Sequence, residues 1–309
     1  MQFVDLKCPG EPRTIGDCGL ILGNFDGVHR GHLALIDELK RLNASRERPV
    51  PLGALCFTHH PSYYLSTTPT RMLCSNEDKL EIFRRAGLSF VVFYDFPELK
   101  DLSPEDFVIQ ILIKQLHCKL AVCGFNYSFG ARGAGKAEDL QRMLCAQPSA
   151  AVSILPPVMH GDQPISSTRI RELLRDGRPE DATLLLGRPY SLVGTVDHGR
   201  KIGRMMGYPT ANLSFPENAL IPRYGVYAVH VRLGKRTYCG VCNIGTRPTF
   251  SDSDEPSCET FLLDFDGTIY GKQMRVSFLE FLREERVFQS VEELQIQIKR
   301  DIVHAKYYL

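Results

Sequence analysis

The chain has 309 residues, 43% hydrophobic and 24% charged, with 37 basic side chains against 36 acidic ones and a formal net charge of +1. This composition excludes a mainly disordered chain, and the near-zero charge argues against binding nucleic acid or an anionic membrane through bulk electrostatics. No apolar run approaches the roughly 18 residues of a membrane span, and no signal-peptide pattern opens the chain, so a cytoplasmic protein of two domains is expected.

From residue 18 to about 186, apolar β-type runs alternate with helical patterns, which predicts an α/β half with a parallel sheet. The strand candidates are Leu20 to Leu22, Leu52 to Phe57, Phe90 to Phe93, Leu120 to Cys123 and Ala151 to Leu155. Ser75 with Asp78, and Ser103 with Pro104, carry helix-start chemistry between them. After Leu186 the runs Tyr190 to Val196, Gly225 to Arg232, Thr237 to Asn243, Glu259 to Phe265 and Met274 to Leu279 predict a small antiparallel β-barrel. Leu233-Gly234-Lys235 signals a hairpin, and Ser290 with Glu293 forms a capping box that opens a final helix through about Ala305. The segment from Leu186 to Pro189 is the expected boundary, giving domains 1–186 and 187–309.

The ten cysteines are scattered, and a reducing compartment would keep them as buried thiols. Cys239 and Cys242 form the close pair, but a zinc site would need a second matching pair, so a strand with two structural thiols is the expected reading.

Gly23, Asn24, Phe25, Asp26, Gly27, Val28, His29, Arg30, Gly31 and His32 follow a short apolar strand and run into the helical pattern Leu33 to Leu42. A loop there presents backbone N–H groups and a positive dipole end to a phosphate, and its glycines admit a nucleotide close to the backbone. His29 and His32, three apart, can face the same side and donate to phosphoryl oxygens. One isolated histidine here would read as a solvated first-turn residue; two with this glycine spacing favour the phosphate site. A second helix start, Ile165-Ser166-Ser167-Thr168-Arg169-Ile170-Arg171, places hydroxyls as caps and a guanidinium against the helix dipole, which suggests a compensating anion.

In the second half a loop leaves a strand near Gly194, passes Gly199, Gly203 and Gly207 among basic residues, and ends at Thr210 and Asn212. Such a loop can cover phosphates while its hydroxyl and amide contribute to Mg²⁺ coordination, though the bare pattern also fits a solvated surface loop. Glu259 is a candidate base, against the plainer reading of a solvated strand glutamate.

Together these segments resemble the bifunctional bacterial FAD synthetases, over essentially residues 18 to 305. The matching N-terminal pieces are Asn24 to His32, Phe57 with His60-Pro61, Arg71, Lys79, Gly124 to Gly130 and Ile165 to Arg171. The C-terminal ones are Gly207 to Asn212, Asn243 to Phe250 and Glu259 to Phe265. The resemblance implies a nucleotidyltransferase-type, Rossmann-like parallel sheet carrying FMN adenylyltransferase activity, followed by a riboflavin kinase barrel with a C-terminal helix. It implies that His29, His32 and Arg169 handle ATP phosphates, with the surrounding loop residues and Ser166 to Thr168. The segments around His60, Pro61 and Asn126 would help form the nucleotide and flavin pocket, Thr210 and Asn212 would bind Mg-ATP, and Glu259 would be the catalytic base. Two positions depart from the family: His59 stands where proline is usual, and Phe261 where histidine is frequent.

The expected chemistry is ATP-dependent conversion of riboflavin to FMN and of FMN to FAD with Mg²⁺, on small-molecule substrates, with no nucleic acid or membrane partner and no oligomeric state implied. The alternatives are a chain retaining one half reaction, or a flavin-binding regulatory protein without turnover. Two decoys are set aside: Gly130 to Ala137 nearly spells a P-loop but lacks the final Ser or Thr and does not directly follow its strand, and Leu263 to Thr268 imitates a phosphatase nucleophile motif with too little chain after it.

Overall fold

The computed structural model describes residues 4–7, 16–197, 208–247 and 255–309. Their contacts divide the chain into two units, Met1–Ser166 and Ser167–Leu309.

The first unit is built on six parallel strands: β1 (Val4–Lys7), β2 (Cys18–Leu22), β3 (Leu52–Phe57), β4 (Phe90–Tyr94), β5 (Cys118–Gly124) and, after the small hairpin of β6 (Ser128–Phe129) and β7 (Gly135–Lys136), β8 (Ala151–Leu155). Their order across the sheet is β1-β4-β3-β2-β5-β8. The five strands expected from apolar runs are all present; β1 is an addition. Strands β2, β3 and β4 are apolar along their whole length because both faces are covered. Ile21, Ala54, Cys56, Val91 and Val122 pack with Leu35, Ile36 and Leu39 of α1 (Arg30–Ala44), past the short helix α2 (Ser62–Leu65), and with Phe83 of α3 (Asn76–Arg85). Leu20, Leu22, Leu55, Val92 and Ala121 face the other core. Beyond α4 (Phe96–Leu99) and α5 (Pro104–Asp106), that core is closed by the wide-turned π-type helix Phe107–Gln115 and by α6 (Ala137–Leu144). The expected caps form: Ser75 Oγ accepts the Asp78 N–H and Ser103 Oγ the Asp106 N–H. A last hairpin, β9 (Met159–His160) and β10 (Gln163–Pro164), ends the unit.

From β2 the chain builds toward one edge through β3 and β4, then crosses to β5 and β8 on the other side. The order therefore reverses between β2 and β5, and the crevice beyond the carboxyl ends of those strands is where open α/β sheets bind ligands.

The second unit begins with α7 (Ser167–Arg175) and α8 (Pro179–Leu186) and continues as β11 (Ser191–Asp197), β12 (Thr210–Ser214), β13 (Gly225–Leu233), β14 (Arg236–Arg247), β15 (Glu255–Leu262) and β16 (Gln273–Arg283). These strands close an antiparallel barrel in the order β11-β12-β15-β14-β13-β16. Its interior holds Leu192, Leu213, Val231, Ile244, Cys258 and Val276, all buried. Gly234 and Lys235 turn the β13–β14 hairpin, with Gly234 at φ +57°. The final helix α9 (Val291–Ala305) starts where Ser290 Oγ caps the Glu293 N–H. No helix among the described residues is long and apolar enough to cross a membrane.

Two expected elements shift. The strand expected to run to Phe265 ends at Leu262: Leu263 N–H still bonds to the Cys239 carbonyl, but Asp264 then enters the left-handed region at φ +53° and turns the chain out of the ladder. Thr210 and Asn212, read as the end of a loop, lie in strand β12 (Thr210–Ser214). Both decoys resolve into turns: the glycines after Phe129 form the β6–β7 hairpin, with Lys136 Nζ donating to the Gly133 carbonyl at 2.8 Å, and Leu263–Asp264 is a strand-end turn.

Candidate active sites

The loop after β2 is held under strain. Phe25 (φ +51°), Gly27 (φ +78°) and Val28 (φ +39°) all enter the left-handed region, which a β-branched residue rarely adopts. Such strain persists only where surrounding contacts over-determine the backbone. Here the Phe25 and Val28 side chains are fully buried, and Phe25 meets Phe83 and His32 edge-on at 5.5 and 5.1 Å. Asp26 Oδ1 accepts the Leu73 N–H at 2.9 Å, and Gly27 N–H donates to Cys74 Sγ at 3.2 Å. The segment Leu73–Cys74, which carries no motif of its own, is thus the buttress of the loop.

His29 is buried and is the N-cap of α1; its Nδ1 accepts the His32 N–H at 3.3 Å, and the two rings stack 3.7 Å apart at 15°. Because Nδ1 accepts, the proton of the neutral His29 ring lies on Nε2, which makes that edge a donor. Gly31 leaves room for this arrangement, since a Cβ there would stand 3.0 Å from His29 Cε1.

His60 and Pro61 follow β3, and Asn126 follows β5, so three loops rise from the carboxyl ends of the adjacent strands β3, β2 and β5. His60 Nδ1 accepts the Ser62 N–H at 3.2 Å and touches Ser62 Oγ at 2.8 Å. His59, the departure beside it, stacks on Tyr63 at 5.0 Å and lies 3.9 Å from Asp95 Oδ1, so it joins an aromatic cluster while His60 keeps its own anchor. Asn126 is exposed, with Gly124 close behind its Oδ1. The segment Ile165–Arg171 straddles the division of the chain: Ser166 closes the first unit, whereas Ser167, Thr168 and the half-buried Arg169 form the first turn of α7 in the second.

In the barrel, strand register does the assembling. Asn212 of β12 is directly paired with Glu259 of β15, and Glu259 on its other side with Asn243 of β14; Asp197 of β11 pairs with Asn212. Directly opposed residues of antiparallel strands project from the same face, so these four form one polar row. Neighbours alternate inward: Cys258 and Thr260 are fully buried in the barrel, while Glu259 is half-buried on the outer face. Thr210, two residues before Asn212, shares the row's face opposite Phe261, whose ring meets Tyr208 edge-on at 5.5 Å. Phe261 therefore packs against the residues leading into Thr210. Asn243 Nδ2 donates to Glu285 Oε1 at 2.9 Å, and Gly245 leaves space for that carboxylate. Glu285 carries no signal in the sequence, because it sits in the charged run from Arg283 to Arg286, which reads as solvated. Gly199, Gly203 and Gly207 lie outside the described residues.

The Cys239 and Cys242 thiols point to opposite faces, as an odd spacing on a strand requires. Cys239 Sγ donates to the Tyr308 carbonyl outside the barrel, and Cys242 Sγ lies 3.5 Å from Cys258 Sγ inside it. Burial pushes both thiols up from their ordinary range, which disfavours the thiolate a metal would need.

A family model described as FAD synthetase matches residues 12–169, and one described as riboflavin kinase matches residues 186–309. The bifunctional riboflavin kinase/FMN adenylyltransferase of Listeria monocytogenes is 38% identical over 285 residues, covering 91% of this chain and 89% of that one. The chain belongs to the bifunctional riboflavin kinase/FMN adenylyltransferase family. The proteins of that name from Bacillus subtilis and Escherichia coli K12 are each 35% identical, covering 94% of this chain and 92% of theirs. A Streptococcus pneumoniae crystal structure titled a macrolide-efflux protein has the same fold, with a TM-score of 0.87 and 30% identity over 98% of this chain and 99% of that one. The two transferase domains of the family are both present, one per motif set.

Proposed function

We propose that this chain phosphorylates riboflavin with ATP to give FMN at the barrel and transfers AMP from ATP to FMN, giving FAD and pyrophosphate, at the sheet. The observation that carries this reading is that each unit holds its own chemistry: a strained, histidine-bearing phosphate loop at the sheet's switch point, and the row Asn212–Glu259–Asn243 on the barrel.

In adenylyl transfer the FMN phosphate attacks the α-phosphorus of ATP and pyrophosphate leaves, so no protein nucleophile is required and the protein's task is alignment and charge stabilisation. The Nε2–H of His29, the His32 ring and the N-terminal dipole of α1 face the developing negative charge. Ser166 of the same unit would add a hydroxyl to the phosphates, and His60, Pro61 and Asn126 would border the flavin; Ser167, Thr168 and Arg169 of the second unit are assigned to ATP phosphates by the family resemblance alone. In the kinase step Glu259 accepts the proton of the ribityl hydroxyl as the γ-phosphoryl group transfers. Asn243, oriented by Glu285, steadies the row beside it.

Thr210 and Asn212 offer neutral oxygen donors two residues apart on one face, a set that fits Mg²⁺, which takes few protein ligands and completes its shell with phosphate oxygens and water. When bound with ATP it would neutralise charge on the phosphates. The division of labour we assign is 1–186 for adenylyl transfer and 187–309 for phosphorylation. The nine described cysteines are all thiols, which suits a reducing cytoplasm.

The test is chromatography of the flavins formed from riboflavin or from FMN with ATP and Mg²⁺. His32→Ala should abolish FAD formation and leave FMN formation, whereas Glu259→Ala should stop riboflavin phosphorylation and leave FAD formation from added FMN. Loss of both activities from either folded variant would overturn the two-site assignment.

A further inference from the structure

Lys79 is 2% exposed, on the first turns of α3, beneath the strained loop. Its ammonium forms no hydrogen bond or ion pair with any described residue. Burying a cation without a partner is costly, and an aliphatic side chain of the same length would fill the space without that cost. The buried ammonium therefore calls for an anion that no described residue is seen to supply.

The surroundings show where that anion would sit. Helical side chains lean toward the helix N-terminus, which carries Lys79 toward Ser75 and Cys74. Cys74 Sγ accepts the Gly27 N–H, so this end of α3 abuts the loop itself. One turn further along, Phe83 packs on Phe25 of the same loop. Lys79 also lies within electrostatic reach of Cys56 on β3, whose thiol is pushed up to about 12 by burial and so stays protonated rather than serving as a counter-ion. The loop's own buried carboxylate, Asp26, accepts the Leu73 N–H through Oδ1.

We infer that Lys79 is an anion-binding residue of the sheet site, engaging a phosphoryl oxygen of the nucleotide from beneath the Asn24–His32 loop. This inference rests on the adenylyltransferase reading of that site. It assigns to the loop a cation of its own unit, on the side of the bound phosphates nearest the sheet.

The experiment compares the full-length wild type with Lys79→Met, which keeps the stem and removes the charge, and with His32→Ala. For FMN conversion to FAD, Lys79→Met should raise the KM for ATP roughly 10- to 100-fold, the range of a lost hydrogen bond to a charged group. The KM for ATP in riboflavin phosphorylation should not move. An unchanged KM in Lys79→Met, with His32→Ala inactive, overturns the inference and leaves the site reading standing. Full activity of both variants overturns the site reading itself. A readout that needs no stable methionine variant is the NMR signal of isotopically labelled lysine side chains in the wild type, assigned by Lys79→Arg. Saturating inorganic pyrophosphate should shift the Lys79 signal, and an unmoved signal refutes the contact.

Discussion

Gly31 is the position at which the phosphate loop is most sensitive to a single atom. A methyl group there would meet His29 at 3.0 Å from Cε1 and 3.1 Å from Nδ1, and the ring is already fixed by its bond to the His32 N–H and its stack on His32. The ring must therefore move, and with it the Nε2–H edge. Alanine is the better helix former, by about 0.5–1 kcal/mol, so Gly31→Ala should not unfold the chain. Its FAD formation should fall by about 10- to 100-fold, as a displaced catalytic group of roughly 1 Å implies, with riboflavin phosphorylation as the internal control. Unchanged FAD formation would show that His29 is not held where the reaction needs it. The two histidines were legible because their spacing matches a helix turn. The left-handed Val28 was not, since valine is a poor residue for that conformation and only its full burial keeps it there.

Among elements, α9 depends on one buried ion pair. Arg283 reaches Asp301 through Nε and Nη2, the latter at 2.9 Å, and Gln297 adds a bond to Asp301 Oδ1 at 2.8 Å; Asp301 is 5% exposed. Removing one partner of such a pair leaves the other charge buried and typically costs about 3–5 kcal/mol. Asp301→Ala should therefore lower the urea midpoint of the barrel unit. Because Arg283 also leads into the loop that brings Glu285 to Asn243, it should slow riboflavin phosphorylation as well, without affecting FAD formation from FMN. A variant with a wild-type midpoint would mean that α9 is docked by its other contacts, such as the Tyr308 carbonyl bonded by His230 and Cys239. The capping box of α9 could be read locally, since Ser290 and Glu293 lie within one turn. Strand β12 could not. Its five residues alternate well enough, but its identity comes from pairing with β11 across the glycine-rich stretch that masks the pattern, and with β15, which arrives from a distant part of the chain. For the same reason the polar row was invisible in the sequence: Asn212, Glu259 and Asn243 are brought side by side only by register.

At the scale of the molecule, the segment 167–186 separates two ways of dividing the chain. The riboflavin kinase model begins at residue 186, and the change in sequence texture falls at Leu186 to Pro189, yet the contacts place α7 and α8 with the barrel. The physical basis for the latter is specific. Pro179, Ala182, Leu185 and Leu186 are buried on α8, which packs against β16, and the Arg223 N–H bonds the Leu174 carbonyl at 2.9 Å. Arg223 also lies over Phe281 at 5.3 Å, beside Gly177 in the turn between the two helices. Burying even two of these leucines contributes about 3–6 kcal/mol. An expressed piece 167–309 should then melt about 10 °C or more above a piece 187–309, given that 1 kcal/mol moves a domain of this size by roughly 3–5 °C. Equal melting temperatures would mean that the two helices contribute nothing to the barrel. The result also bears on catalysis. Arg169 rides on α7, so if α7 is a structural part of the kinase unit, a piece ending at Ser166 loses the guanidinium assigned to ATP even with its sheet intact, and it should retain flavin binding while failing to form FAD.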